Sequence, residues 1–174
     1  KEMSCMQPAA PELIAGLCPP YAEIEIYNEK ETAIPFDRHW DLVFFSYLDS
    51  HYEHAKVLST LLRRAGMTTV AGGRHASRFA GDCRYYFDSV VIGEPEGSVP
   101  RLIQDFAGKR LQPFYYSPPT DARNIQPYRY DLMDFRTNRF RGPSVEASRG
   151  CPFQCEFCDI IVIYGRRPRV KIVT

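Results

Sequence analysis

The sequence predicts an α/β protein: a doubly wound parallel sheet, then a linker, then the start of a second unit. Three observations predict it. Short continuous apolar runs alternate with stretches of helical period, the texture changes abruptly after Lys109, and three cysteines crowd one late loop.

The elements follow in order. "EIEIYNE" (23–29) alternates apolar and polar residues and reads as a strand with one wetter face. "DLVFFSY" (41–47) is a continuous apolar run, as expected of a strand covered on both faces. In "HYEHAKVLSTLLRRAG" the residues Ala55, Leu58, Leu61, Leu62 and Ala65 recur at helical spacing, and Gly66 is placed to end the helix. "MTTVAGG" (67–73) and "DSVVIGE" (88–94) read as the next strands. "EGSVPRLIQDFAGK" reads as a helix with Val99, Leu102, Ile103 and Phe106 on one face. Pro100 sits in its first turn, where a missing N–H costs little, and Gly108 at its end. The domain so defined covers 1–109.

In doubly wound sheets ligands bind beyond the carboxyl ends of the strands. Here those ends read "SYLDSH" (46–51), "AGGRHAS" (71–77) and "IGEPEG" (92–97). Glycines there either let a large ligand approach the backbone or simply make tight turns. Residues 110–143 are rich in Pro, Arg and Tyr without a sustained period, and read as an extended linker. Such an Arg/Tyr mixture suits single-stranded nucleic acid, but more often belongs to a linker whose aromatics pack on a neighbouring domain. "PSVEASRGC" then reads as a strand over 144–148 that runs into the cysteine loop.

Bulk composition narrows the class. The chain has 174 residues, 44% hydrophobic and 25% charged, which suits an ordinary domain or a domain and part of another. A formal net charge of +1 gives no polybasic or polyacidic pointer to nucleic acid or to a membrane surface. Apolar runs such as 42–45 and 160–163 are too short to span a bilayer. Of the six cysteines, Cys5, Cys18 and Cys83 are scattered and the other three are clustered. A reducing cytoplasm and a metal site fit that distribution better than a disulfide scaffold.

The cluster is "GCPFQCEFCD" (150–159): Cys151, Cys155 and Cys158 in C-x3-C-x2-C spacing. A structural zinc site wants four ligands, usually in two separated pairs. Only one C-x2-C pair exists, and the histidines, His39, His51, His54 and His75, all lie far upstream. Ferredoxin-type clusters want a fourth cysteine, and none follows Cys158. Three thiolates suit a four-iron cluster with one iron left open.

The cysteine spacing, Phe157 before the third cysteine, the preceding strand and the flanking "ASRGCPFQCEFCDI" together resemble the radical S-adenosylmethionine (SAM) superfamily. In that family the open iron holds the amino and carboxylate groups of SAM, and one electron cleaves it to a 5′-deoxyadenosyl radical. Upstream, "DLVFFS", "TTVAGGRHAS" and "VVIGEPEGSVPRLIQDF" look like the flavodoxin-like, cobalamin-binding domain of the B12-dependent branch, and "CDIIVIYGRRPRVK" looks like the continuation into its partial (β/α) barrel.

The resemblance implies a set of roles. Cys151, Cys155 and Cys158 match the ligands of a 4Fe-4S cluster, and Phe157 the position against the SAM adenine. Gly72, Gly73, Gly93 and Glu94 match backbone beside the cobalamin tail, while Ser46, Tyr47 and Leu48 match the loop near the lower face of the corrin. Arg149, Arg166, Arg167 and Arg169 either meet anionic groups or are solvated. "DSH" (49–51) begins like a cobalt-ligating D-x-H-x-x-G motif, but His54 stands where Gly is required, so His51 and His54 read first as the start of a helix.

The implied activity is SAM-dependent radical chemistry with cobalamin as methyl carrier, leading to methylation of an unactivated carbon. Cyclising or oxidative chemistry is the alternative within the class, and a non-catalytic cobalamin- or zinc-binding module the alternative outside it. The implied partners are a small-molecule substrate and an electron donor such as a flavodoxin or ferredoxin. The family's cobalamin domain opens with an apolar strand that "KEMSCMQPAAPELIAGL" does not supply, and the chain stops at "RVKIVT", after only the first expected barrel strand. The sequence is therefore expected to be a fragment, inactive alone, unless another segment supplies the strand.

Overall fold

The computed structural model describes residues 9–29, 32–132 and 145–170. Four parallel strands form the sheet: β1 (Leu42–Ser46), β2 (Thr68–Gly72), β3 (Ser89–Gly93) and β4 (Phe114–Ser117), in the order β1-β2-β3-β4. The helices are α1 (Ala10–Leu17), α2 (Tyr52–Arg64), α3 (Arg74–Arg78), α4 (Ala80–Tyr86) and α5 (Val99–Ala107).

Strand alternation sends successive side chains to opposite faces. Ala71 and Val90 point into a cluster with Tyr52, Ala55, Ala76, Cys83 and Phe87, from α2 to α4 and the turn after α4. Val70, Val91 and Tyr115 point the other way, against Leu17 of α1 and Val99 and Leu102 of α5. The expected doubly wound α/β sheet is therefore what forms. Because the strand order runs in one direction, the β3–α5–β4 connection has the opposite hand to the two before it. Val70, Ala71 and Val90 of the central strands are fully buried, whereas β1 is only half-buried, with nothing paired to its outer edge among the described residues.

Helix signals read from the sequence sit where expected. Gly66 takes φ 87° just beyond α2, and Pro100 lies in the first turn of α5. His51 closes a short 3-10 turn that leads into α2, and His54 lies within it, paired with Glu29.

Three expectations need correction. Residues 23–29 form no strand. They pair with no strand although the outer edge of β1 is open, and Glu25 instead accepts hydrogen bonds from Tyr27 at 2.7 Å, Arg38 at 2.6 Å and Trp40 at 3.1 Å. The 110–143 segment is not wholly a linker, since it supplies β4, whose Tyr115 and Ser117 are buried while Phe114 and Tyr116 face out. Its residues 133–143 lie outside the described residues. The expected strand over 144–148 shrinks to β5 (Ser148–Arg149), antiparallel to β6 (Arg169–Val170). Glu146 is drawn aside by Arg149 and Tyr128, and Gly150, at φ 87°, ends the extended run. Residue 144, like Cys5, lies outside the described residues. Among the described residues no helix is long and apolar enough to cross a membrane.

Candidate functional site

The parallel register aligns the strand ends at one edge. Ser46 lies opposite Gly72, and Gly93 opposite Ser117. Gly73 follows at φ 91° and Gly93 at φ 83°, conformations that side chains rarely adopt. A Cβ added at Gly93 would stand 3.3 Å from the Ser117 carbonyl oxygen. The edge is thus a ledge of small residues at which backbone is reachable.

The cysteine loop roofs one end of this ledge. It runs from β5 to α6 (Ile160–Tyr164) and on to β6. A cavity of about 490 Å³ lies between, lined on the sheet side by Gly93, Glu94, Tyr116 and Ser117, and on the loop side by Phe157, Cys158 and Val162. Phe157 is 93% exposed there. Cys155 is exposed, Cys151 and Cys158 are half-buried, and none of the three is in a disulfide. The Cys158 N–H bonds the Cys155 carbonyl at 3.1 Å, and the Cys151 N–H bonds that of Gly165 at 3.2 Å. The three thiols share one short loop, yet among the described residues no group of three or more His, Cys, Asp or Glu side chains is close enough to hold a metal ion.

The remaining expected residues divide. Leu48 is exposed beside Ser46. Tyr47 turns inward, stacked on Tyr52 and Phe87, with its hydroxyl 3.3 Å from the Cys83 sulfur. Burial, then the contact with Cys83, pushes the Tyr47 phenol up. Asp49 pairs with His75 Nδ1 at 2.7 Å rather than with anything near His51. Arg166 and Arg167 are exposed.

Glu94, Arg149 and Arg169 come together. Arg149 Nη1 donates to Glu94 Oε2 at 3.0 Å, and Arg169 Nη1 donates to the same oxygen at 2.9 Å. Arg149 also donates to Glu146 at 2.8 Å, and its Nη2 lies 2.7 Å from Glu96, without the alignment of a hydrogen bond. Burial alone would raise the Glu94 carboxyl. The bonds from Arg169 and the Thr120 N–H, with the charge of Arg149, outweigh it and hold the carboxyl below its ordinary range. A second tether joins Arg74, at the start of α3, to Asp159, next to Cys158. Sequence reasoning did not single out Glu96, Glu146, Arg74 or Asp159. "GEPEG" signals a pair of carboxylates at a strand end, but their partners lie far along the chain.

No family model and no solved structure matches the chain. Several curated proteins do. The bacteriochlorophyllide d C-8(2)-methyltransferase of Chlorobaculum tepidum is 29% identical over 168 residues, covering 91% of this chain and 37% of that protein. A match of that length takes in the cysteine loop. An uncharacterised methyltransferase of Synechocystis is 63% identical over 85 residues, covering 48% of this chain and 16% of its own length. The hopanoid C-2 methylase of Rhodopseudomonas palustris is 34% identical over 94 residues, covering 50% of this chain and 18% of that protein. The chain thus spans well under half the length of each of these proteins. Over part of their length the chain is a relative of these methyltransferases.

Proposed function

We propose that the chain is part of a radical SAM methyltransferase that uses cobalamin, with Cys151, Cys155 and Cys158 as ligands of a 4Fe-4S cluster. The observation that carries this reading is the shared cavity. A ledge of glycine and serine at the carboxyl edge of a parallel sheet faces a loop bearing three unpaired cysteines, with about 490 Å³ between them.

The donor chemistry suits the cluster. All three cysteines are free and on one loop, and soft thiolates are the ligands iron–sulfur clusters take. The ledge fits a flat cofactor, because Gly72, Gly73 and Gly93 present backbone where side chains would stand off a ring. When bound, the cluster would supply the electron that cleaves SAM, and cobalamin would carry the methyl group.

The chain's own residues have simpler tasks. Phe157, exposed at the cavity mouth, offers a ring face for an adenine. Gly93 lines the cavity, Ser46, Leu48, Gly72 and Gly73 continue the ledge beyond it, and Tyr47 braces that ledge from below through its stacking. A small-molecule acceptor and an electron donor of the flavodoxin or ferredoxin type complete the proposed system, which works in the cytoplasm.

Anaerobic reconstitution with iron and sulfide tests the reading. The expected result is bound iron and acid-labile sulfide with broad visible absorption, lost on Cys→Ala at any of the three positions. Tight zinc binding without iron would instead make the loop a structural metal module.

A further inference from the structure

Both ends of the cysteine loop converge on a single carboxylate. Glu94 follows β3 directly and is 1% exposed. Arg149 stands two residues before Cys151, and Arg169 follows the loop and α6. The two arginines are register partners in the β5–β6 pair. Arg169 grips both Glu94 oxygens and also donates to the Tyr164 carbonyl at 3.0 Å, while Arg149 reaches the same carboxylate at 3.0 Å. Residues 150–168 are therefore an excursion closed at its neck by one acidic side chain that belongs to the sheet.

The neck is built as a unit. Glu94, Glu96 and Glu146 face Arg149 and Arg169, with the Thr120 N–H donating to Glu94 at 2.9 Å. A buried charge stripped of its partner is costly, so such a group forms or fails together. None of these residues belongs to the three apolar clusters that hold the sheet and helices together. Loss of the neck is thus separable from loss of the fold.

We infer that Glu94 is the positioning residue of the cysteine loop: through Arg149 and Arg169 it clamps the β5–β6 neck to the carboxyl end of β3 and so sets the loop's height above the glycine ledge. Glu94 acts through the two arginines. The inference rests on the neck alone and not on what the cysteines bind. A loop that took zinc would leave it standing.

Amide hydrogen exchange on the 174-residue chain tests it, comparing the wild type with Glu94→Gln, Arg169→Gln, the double variant and Glu94→Asp. Glu94→Gln and Arg169→Gln should each speed exchange across 145–170 by roughly tenfold or more while leaving β2 and β3 within about twofold. The double variant should exchange no faster than Glu94→Gln, because both remove one clamp. Glu94→Asp, which keeps the charge, should restore most of the protection. Wild-type exchange across 145–170 in Glu94→Gln, equal acceleration of β2 and β3, an additive double variant or an unprotected Glu94→Asp would each overturn it. If Glu94→Gln does not fold, Arg169→Gln decides: acceleration confined to 145–170 supports the clamp, and global acceleration refutes it.

Discussion

Arg149 and Glu94, 55 residues apart in sequence, meet in a buried ion pair with Nη1 3.0 Å from Oε2. Removing the arginine strands the Glu96 carboxylate and leaves Glu94 to Arg169 and the Thr120 N–H. Arg149→Ala should therefore cost about 3–5 kcal/mol, the range for breaking one side of a buried pair. Arg149→Lys should recover only part of this, because an ammonium cannot serve three carboxylates as a planar fork does. Amide exchange across 145–170, with β2 and β3 as the internal reference, measures both.

The same knot sets a pH dependence. Burial would raise the Glu94 carboxyl, but Arg169, the Thr120 N–H and Arg149 hold it below its ordinary 4.5. A folded-state value below the unfolded one means that the ionised form is favoured by folding. The contribution is complete above 4.5 and disappears as pH falls through the lower folded value. Amide exchange across 145–170 followed as pH is lowered, after correction for intrinsic exchange, should show this loss, and Glu94→Gln should flatten that pH dependence.

Thiol chemistry should separate the cysteines by environment. Cys83 is fully buried, and burial pushes its thiol up. Cys18 is half-buried with its thiol also raised by burial. Cys155 is exposed. Mass-resolved alkylation near neutral pH should label Cys155 first, Cys151 and Cys158 next, and Cys83 only on unfolding.

Gly150 should not tolerate a side chain. It sits at φ 87°, and a Cβ would stand 2.5 Å from the Arg167 carbonyl oxygen. Gly150→Ala should cost roughly 1–2 kcal/mol from the left-handed backbone alone, with the displaced Arg167 backbone adding to it. The change should impair iron uptake by the loop while circular dichroism of the sheet and helices stays close to wild type.

How far the sequence could be read depends on how local each signal was. β1, β2 and β3 are legible because strands covered on both faces need unbroken apolar runs, and α2 and α5 because their buried faces repeat at helical spacing. The "EIEIYNE" alternation misleads because a strand also needs a neighbour, which periodicity cannot supply. β4 hides between Pro113 and Pro118, and only four residues carry its pattern. The cysteine spacing is a local signal and was readable. The Glu94 clamp was not, since its arginines lie 55 and 75 residues away and only the folded chain brings them to β3.

The most direct test is electron paramagnetic resonance of the anaerobically reconstituted, reduced chain, recorded with and without SAM. The expected result is a cluster signal, absent in Cys151→Ala, Cys155→Ala and Cys158→Ala, whose shape changes when SAM is added. A cluster signal indifferent to SAM, or retained without one of the three cysteines, would contradict a three-thiol site with one iron left open.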